Sequence, residues 1–462
     1  MMDLQISEII SKKIPVVSEN ASIRNVAKIM EREKSTYVLI ENSKGELCGI
    51  VTEGDLKRAI SKSMDIKKPV TLLMSSPLIT ISSDSMIWEA TIEFFKNRIK
   101  HLPVEKDGKI IGVLTIKELA LYLSRVPLYF LKEFSKAKNV EEMKESYEKF
   151  QKYTLKILPA EFEKDNIDPR YIGNIISMIN DEILKTTIKL SLKKLGIKDK
   201  NFSFFVMGSE GRREQFLRTD QDNGIIFTNK ENRDDFIVLG KEVHRSLLEI
   251  GFADCPASYT VGNENFVKSL DDWLSTIEHW SYSLSANDLL NLFVIGDMRH
   301  VYGNSNLLLK IRKRLHSLCR NEHIFVKMLE ASLDFSVPSK PKKIDLKNQA
   351  LLPIIAPIRV LSLRFGIHET NTLDRIEKLK EKKVLSKEIV TDLKVAYLFL
   401  KNIHFLTQVK NIRTNAEKIN LIDVKKDLPK IKAKFLEDSL KTISEFQNLL
   451  EKKFLFTYFG MR

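Results

Sequence analysis

The chain has 462 residues, 43% hydrophobic and 29% charged, a composition that excludes a disordered polymer and, at this length, a single compact core. It contains no apolar run of about 18 residues, which excludes a membrane-spanning helix, and the start MMDLQISEIISKK lacks the basic-then-apolar order of a signal peptide. The net charge is +14, and residues 340–462 alone carry 26 Lys and Arg against 14 Asp and Glu.

Cys48, Cys255 and Cys319 are far apart, which argues against a disulfide framework or a zinc site and suits a reducing, cytoplasmic setting. The basic last third reads as a lysine-rich solvated helical face. Its aromatics are not interleaved with the lysines as base stacking requires, so nucleic acid is not expected as a partner.

In chain order, the first feature is a repeat. Residues 15–30 (PVVSENASIRNVAKIM) match 78–95, and 35–56 (STYVLIENSKGELCGIVTEGDL) match 100–119. Each copy, about 8–63 and 70–125, predicts a short strand, an amphipathic helix, an apolar strand, a tight turn, a second strand and a helix. Lys44-Gly45 and Asp107-Gly108 mark the two turns. A strand ending in Thr and leading into a helix can meet an anion with hydroxyl and amides. A carboxylate three residues on can accept ribose hydroxyls. Thr52 with Asp55 and Thr115 with Glu118 occupy these positions, and the same pairs also suit a plain helix cap. Lys100 and His101 could face phosphates at the second site, but read first as a solvated basic pair.

The stretches GIVTEGD (49–55) and GVLTIKE (112–118) resemble the paired cystathionine-β-synthase (CBS) motifs of a Bateman module. The resemblance implies an adenine nucleotide held at its ribose by Thr52 and Asp55, a weaker second site at Thr115 and Glu118, and a homodimer formed through the module.

Residues 126–200 carry helical periodicity and read as a helical linker region. Residues 201–207 (NFSFFVM) predict a buried strand and 224–228 a second. Between them stand Gly208-Ser209-Glu210-Gly211-Arg212-Arg213-Glu214-Gln215 and Thr219-Asp220-Gln221-Asp222. Glycine lets backbone approach a phosphate. A helix expected to begin near Glu210 would aim free amides at it, with Arg212 and Arg213 gripping its oxygens. Asp220 and Asp222, two apart on an expected strand, share a face and can hold a divalent metal with substrate phosphates. Residues 232–250 and 268–295 predict helices, and residues 252–262 (FADCPASYTVG) read as extended. Beyond the linker at 338–341 the chain reads as helical, with a cap at Thr370-Asn371 and a stop near Lys382-Lys383.

A Gly-Ser turn followed after ten residues by Asp-x-Asp is similar to the polymerase-β-like nucleotidyltransferase superfamily. The wording GSEGRREQ and TDQDNG resembles its branch related to the uridylyltransferase of nitrogen signalling, as do Asp297, Asp345-Leu346-Lys347, Arg359, Asn371-Thr372 and Arg375. The resemblance implies a transferase domain at 201–335 and a helical substrate-binding domain at 342–455. It implies catalysis by Asp220, Asp222, Ser209 and Arg212, nucleotide binding by Gly208, Ser209, Arg212 and Arg213, and magnesium or manganese on Asp220 and Asp222. A nucleoside triphosphate is the implied substrate, and a protein or small-molecule hydroxyl the acceptor. A catalytically silent nucleotide sensor built on the same fold is the alternative. The superfamily's third carboxylate has two candidate positions, Asp254 and Asp297, each also readable as structural. The fold expected is multi-domain α+β: a tandem CBS α/β module, a helical linker, a polymerase-β-like α/β domain and a C-terminal helical bundle.

Overall fold

The computed structural model describes residues 6, 10, 14–116, 119, 128–156, 169–198, 201–217 and 220–460. The chain divides into two compact units, Met1–Val126 with Asp165–Ile167, and Pro127–Lys164 with Asp168–Arg462.

In the first unit each repeat builds one three-stranded sheet. β1 (Val16–Ser18) pairs parallel with β2 (Tyr37–Glu41), and β2 pairs antiparallel with β3 (Leu47–Thr52). β4 (Ile81–Ser82), β5 (His101–Lys106) and β6 (Lys109–Thr115) repeat that order. A parallel pair needs a crossover, supplied by helices Ile23–Glu33 and Ile87–Asn97. Ser22 caps the first by accepting from the Asn25 amide. The hairpins turn at left-handed residues, Gly45 (φ 82°) in one copy and Asp107 and Gly108 (φ 49° and 75°) in the other.

Val26, Val38, Ile40 and Val51 form the core of the first copy, and Phe94, Leu102, Val104 and Leu114 that of the second. Tyr37, Leu39 and Val113 form a shared core between them. Beside it, Thr36 Oγ1 and His101 Nε2 share a 2.7 Å hydrogen bond, and the imidazole tilts against Tyr37 at 5.1 Å. His101 is thus half-buried and partnered, unlike the exposed Lys100 beside it, because the alternation of β5 turns it toward the other copy. Burial pushes its imidazole down to about 4.

The second unit opens with helices Leu128–Lys136, Val140–Lys156 and Pro169–Leu195. Its main sheet has four strands. β7 (Phe202–Val206) lies antiparallel to β8 (Asn223–Phe227) and to β10 (Arg299–Gly303), and β9 (Val267–Ser269) runs parallel to β8. Every residue of β7 and β8 is buried. Their runs FSFFV and NGIIF accordingly lack polar alternation.

Helix Arg233–Ile250 follows. The helix expected over 268–295 is two helices, Leu270–Ser283 and Ala286–Ile295. Leu284 turns left-handed (φ 48°), and the Ser285 hydroxyl starts a new cap by accepting from the Asp288 amide. The segment read as extended forms a turn whose Ala253 makes an isolated parallel bridge with Asp220.

Helices Leu352–Arg364, Thr372–Glu381, Lys387–Arg413 and Lys430–Leu450 complete the unit, with a ribbon of β11 (Lys343–Asp345) and β12 (Leu421–Asp423). Asn371 caps the second of these helices. One apolar core runs from Phe205 and Ile226 of the sheet through Trp273, Leu292 and Ile354 to Leu440 and Phe446. Sheet and C-terminal helices therefore fold on a common interior.

Candidate functional site

The chain leaves β7 and turns at Gly208, which has φ 56°. The Met207 amide donates to the Asp222 carbonyl at 2.8 Å, tying the turn to the segment before β8. A Cβ on Gly208 would lie 2.6 Å from Asp222 Oδ2. Glycine is required here for its backbone conformation and for the approach of that carboxylate. The helix expected near Glu210 is a single turn, Gly208–Gly211. The Gly211 amide donates to the Met207 carbonyl at 2.8 Å and the Arg212 amide to the Gly208 carbonyl at 3.1 Å. The amides expected to cradle a phosphate are thereby partly spent, and one turn aligns too few peptides for a useful dipole.

Asp220 and Asp222 lie just ahead of β8 rather than within it. Gln215 Nε2 donates to Asp220 Oδ1 at 3.0 Å. Burial, then the neighbouring Asp220, pushes the Asp222 carboxyl up to about 6, against the opposing pull of Cys255, Lys347 and Arg212. Asp220 and Asp222 offer hard oxygen donors, and a divalent cation would relieve the like charge that Asp220 sets against Asp222, so the residues present suit magnesium or manganese. Among the described residues no group of three His, Cys, Asp or Glu is arranged to hold a metal. Thr219 lies outside the described residues.

Arg212 has partners within the protein. Arg212 is buried, with Nε donating to Glu214 Oε2 at 2.7 Å and Nη1 to Asp297 Oδ2 at 2.6 Å. Arg359 and Arg375 also reach Asp297, each at 2.6 Å. Burial alone would raise the Asp297 carboxyl, but the Arg359, Arg212 and Arg375 guanidiniums outweigh it and hold it far below the usual range. Asp297 is therefore the centre of a buried ionic knot, which decides its case between site and scaffold. Arg299 pairs instead with Asp181, in bidentate fashion at 2.7 and 2.8 Å. Arg213, left-handed at φ 58°, has Arg299, Asp181 and Asp374 as its charged neighbours.

Beside the knot opens a cleft of about 390 Å³. Ser209, Arg212, Asp220 and Asp254 line it from the sheet side, and Lys347, Lys401, His404 and Gln408 from the C-terminal helices. Asp254 is thus the third-carboxylate candidate that reaches the cleft. Its Oδ1 stands 3.7 Å from His244 Nε2, and His244 Nδ1 is 3.0 Å from Gln221 Oε1.

Lys401 is a site residue that the sequence reading missed. Its Nζ donates to the Glu214 carbonyl at 2.6 Å and sits 3.9 Å from the Phe216 ring centroid. Burial pushes the ammonium down to about 7. The signal was available: Lys401, His404, Gln408 and Asn411 recur at three- and four-residue spacing along a helix otherwise rich in apolar residues, and all four are buried.

In the first unit, the Thr52 amide and Oγ1 both donate to Asp55 Oδ2, at 2.9 and 2.7 Å. Arg58 Nη2 takes Asp55 Oδ1 at 3.0 Å. The pair forms a capping box with an ion pair, so a ribose would have to compete with both. Thr115 ends β6. Glu118 lies outside the described residues.

Comparison with known proteins matches residues 6–62 and 69–125 to the CBS domain. Residues 154–287 match "Putative nucleotidyltransferase DUF294", and 312–454 match "Putative nucleotidyltransferase substrate binding domain". Over 120 residues the chain is 31% identical to an uncharacterized 17.7 kDa protein of Acidianus ambivalens, covering 26% of this chain and 73% of that one. It is 28% identical over 114 residues to the arabinose 5-phosphate isomerase KpsF of Escherichia coli, covering 24% of this chain and 35% of the isomerase. A solved CBS domain protein from Pyrobaculum aerophilum, complexed with AMP, aligns at 23% identity and TM-score 0.25, over 27% of this chain and 100% of that one. No helix among the described residues is long and apolar enough to cross a membrane. The chain accordingly carries a CBS pair followed by the two segments that the DUF294 family models describe, its first domain and its substrate-binding domain.

Proposed function

We propose that the cleft transfers a nucleoside monophosphate from a nucleoside triphosphate to a hydroxyl of a protein or small molecule. The supporting observation is the seating of Asp222 against the Gly208 turn, next to Asp220 and a cleft walled by Lys347 and Lys401. Carboxylates on one side and ammonium groups on the other suit a metal-bound triphosphate. Asp220 and Asp222 would hold magnesium or manganese, which when bound neutralises phosphate charge. Lys347 and Lys401 bind phosphate oxygens, and Ser209 hydrogen-bonds the transferred group.

The acceptor oxygen forms a bond to the α-phosphorus. The bond from that phosphorus to the bridging oxygen breaks, and pyrophosphate leaves with the electron pair. The acceptor's proton passes to Asp254, whose carboxylate faces His244. The sequence likeness to the uridylyltransferase of nitrogen signalling makes uridylyl and adenylyl transfer the first reactions to test. An adenine nucleotide at Thr52 and Asp55 adjusts the rate, in a homodimer built through the CBS module.

The test is incubation with each α-labelled nucleoside triphosphate, magnesium and cell extract, beside the Asp222→Ala variant. Label should move to an acceptor with the parent chain and not with the variant. No label from any of the four triphosphates would sink the transferase reading. The alternative is a silent nucleotide sensor on the same fold, favoured by the Gly211 and Arg212 amides being spent inside the turn. Triphosphate binding without transfer would select it.

A further inference from the structure

A second cavity, of about 580 Å³, shares Phe216, Leu217, Ala253 and Ile419 with the cleft. Tyr147, Phe150 and Phe216 give it aromatic walls. Tyr147 is fixed by stacking on Phe252 at 5.1 Å, and Phe216 by an edge contact with Phe405 at 5.4 Å. No Lys or Arg is among its described lining residues, so nothing there answers a phosphate. Asn180 lies in the wall, 1% exposed, and neither its amide nitrogen nor its oxygen has a partner among the described residues. A buried primary amide left unmet costs free energy unless a ligand or water meets it. Its adjacent donor and acceptor match the donor–acceptor edge of a nucleobase, and flat aromatic walls match the ring faces. The neighbouring cleft holds the cationic side chains that this cavity lacks.

We propose that the cavity receives the nucleobase of the nucleotide whose phosphates occupy the cleft, with Asn180 reading the ring edge between Tyr147, Phe150 and Phe216. The proposal rests on the nucleotide reading of the cleft. Phe216 joins the two compartments, since it lines both and carries the Lys401 ammonium.

The test uses the full chain, Asn180→Leu and Gln151→Trp. Gln151 lines the cavity but is exposed, so the Trp substitution fills the mouth without disturbing the core. Each protein is titrated calorimetrically with the four free nucleosides, and separately with tripolyphosphate and magnesium. Nucleoside sites elsewhere in the chain contribute equally to all three proteins. At least one nucleoside should bind the parent chain, and about tenfold more weakly in both variants, the loss expected for one bidentate base contact. Tripolyphosphate should bind all three alike. Nucleoside binding that is absent, or equal in the parent and Gln151→Trp, overturns the proposal. Failure of tripolyphosphate to bind the parent chain refutes the phosphate reading of the cleft instead, so the two failures are distinguishable. Should Asn180→Leu not fold, Gln151→Trp decides.

Discussion

Arg212 Nη1 meets Asp297 Oδ2 at 2.6 Å, although 85 residues separate them in the chain. The same carboxylate takes Arg359 and Arg375 from the C-terminal helices. Arg212 also holds Glu214, whose other oxygen accepts from the Thr372 amide at 2.7 Å. The loop between β7 and β8 is therefore gripped by helices that follow it by more than a hundred positions.

Asp297→Asn should destabilise the second unit by about 3–5 kcal/mol, because it leaves buried guanidiniums without their counter-charge. Urea unfolding followed by tryptophan fluorescence reads this, since Trp273 is fully buried in the same unit. The pH sign follows from the depressed Asp297 pKa: its contribution is complete above the ordinary value of 3.8 and fades as acid titrates the folded carboxyl. The variant should lose that acid limb.

Gly208→Ala should abolish metal binding at a modest cost in stability. The added Cβ collides with Asp222 Oδ2, and the left-handed backbone costs about 1–2 kcal/mol for a residue with a side chain. Manganese titration by electron paramagnetic resonance is the measurement. Retention of parental affinity would contradict the assignment of Asp222.

Lys401, pushed down to about 7 by burial, should take up a proton when an anion binds in the cleft. Binding of tripolyphosphate at pH 8 should then show heats that depend on the ionisation enthalpy of the buffer. Lys401→Met should remove that dependence and weaken binding about tenfold, the scale of one charge-assisted hydrogen bond. A buffer-independent heat in the parent chain would rule out Lys401 as the responding group.

The first unit should lose stability between pH 6.5 and about 4. His101 is neutral in the folded state down to about 4, while the unfolded chain takes its proton near 6.5. Falling pH therefore favours unfolding across that window and has no further effect through His101 below it. His101→Gln keeps a partner for Thr36 and should flatten the slope, as melting temperatures at stepped pH would show.

The repeat, its hairpins and the buried strands were legible because each rests on local chemistry: glycine at left-handed turns, apolar runs of strand length, and caps such as Asn371. Asp220 and Asp222 stand out by their spacing, although both precede β8 instead of lying on it. The role of Arg212 was not legible. An arginine on a turn beside a phosphate motif suggests anion binding, and only the packing of Arg359 and Arg375 reveals a carboxylate that claims it. Asp254 and Asp297 could not be separated for the same reason, since burial and partners decide between them. β10 was missed because RHVYG has neither alternation nor an apolar run. Lys401 escapes the sequence because it is one lysine among many in the basic last third, and only its burial sets it apart.

The ionic knot around Asp297 also bears on how this protein could have been assembled in evolution. The transferase and substrate-binding matches end and begin as separate modules along the chain, yet the geometry at Gly208–Gln215 depends on side chains from both. A recombination event that exchanged the C-terminal helices alone would take from Asp297 two of its three arginines and from Glu214 the Thr372 amide, leaving Arg212 to both. The two segments are therefore constrained to be inherited together, whereas the knot places no such demand on the CBS pair.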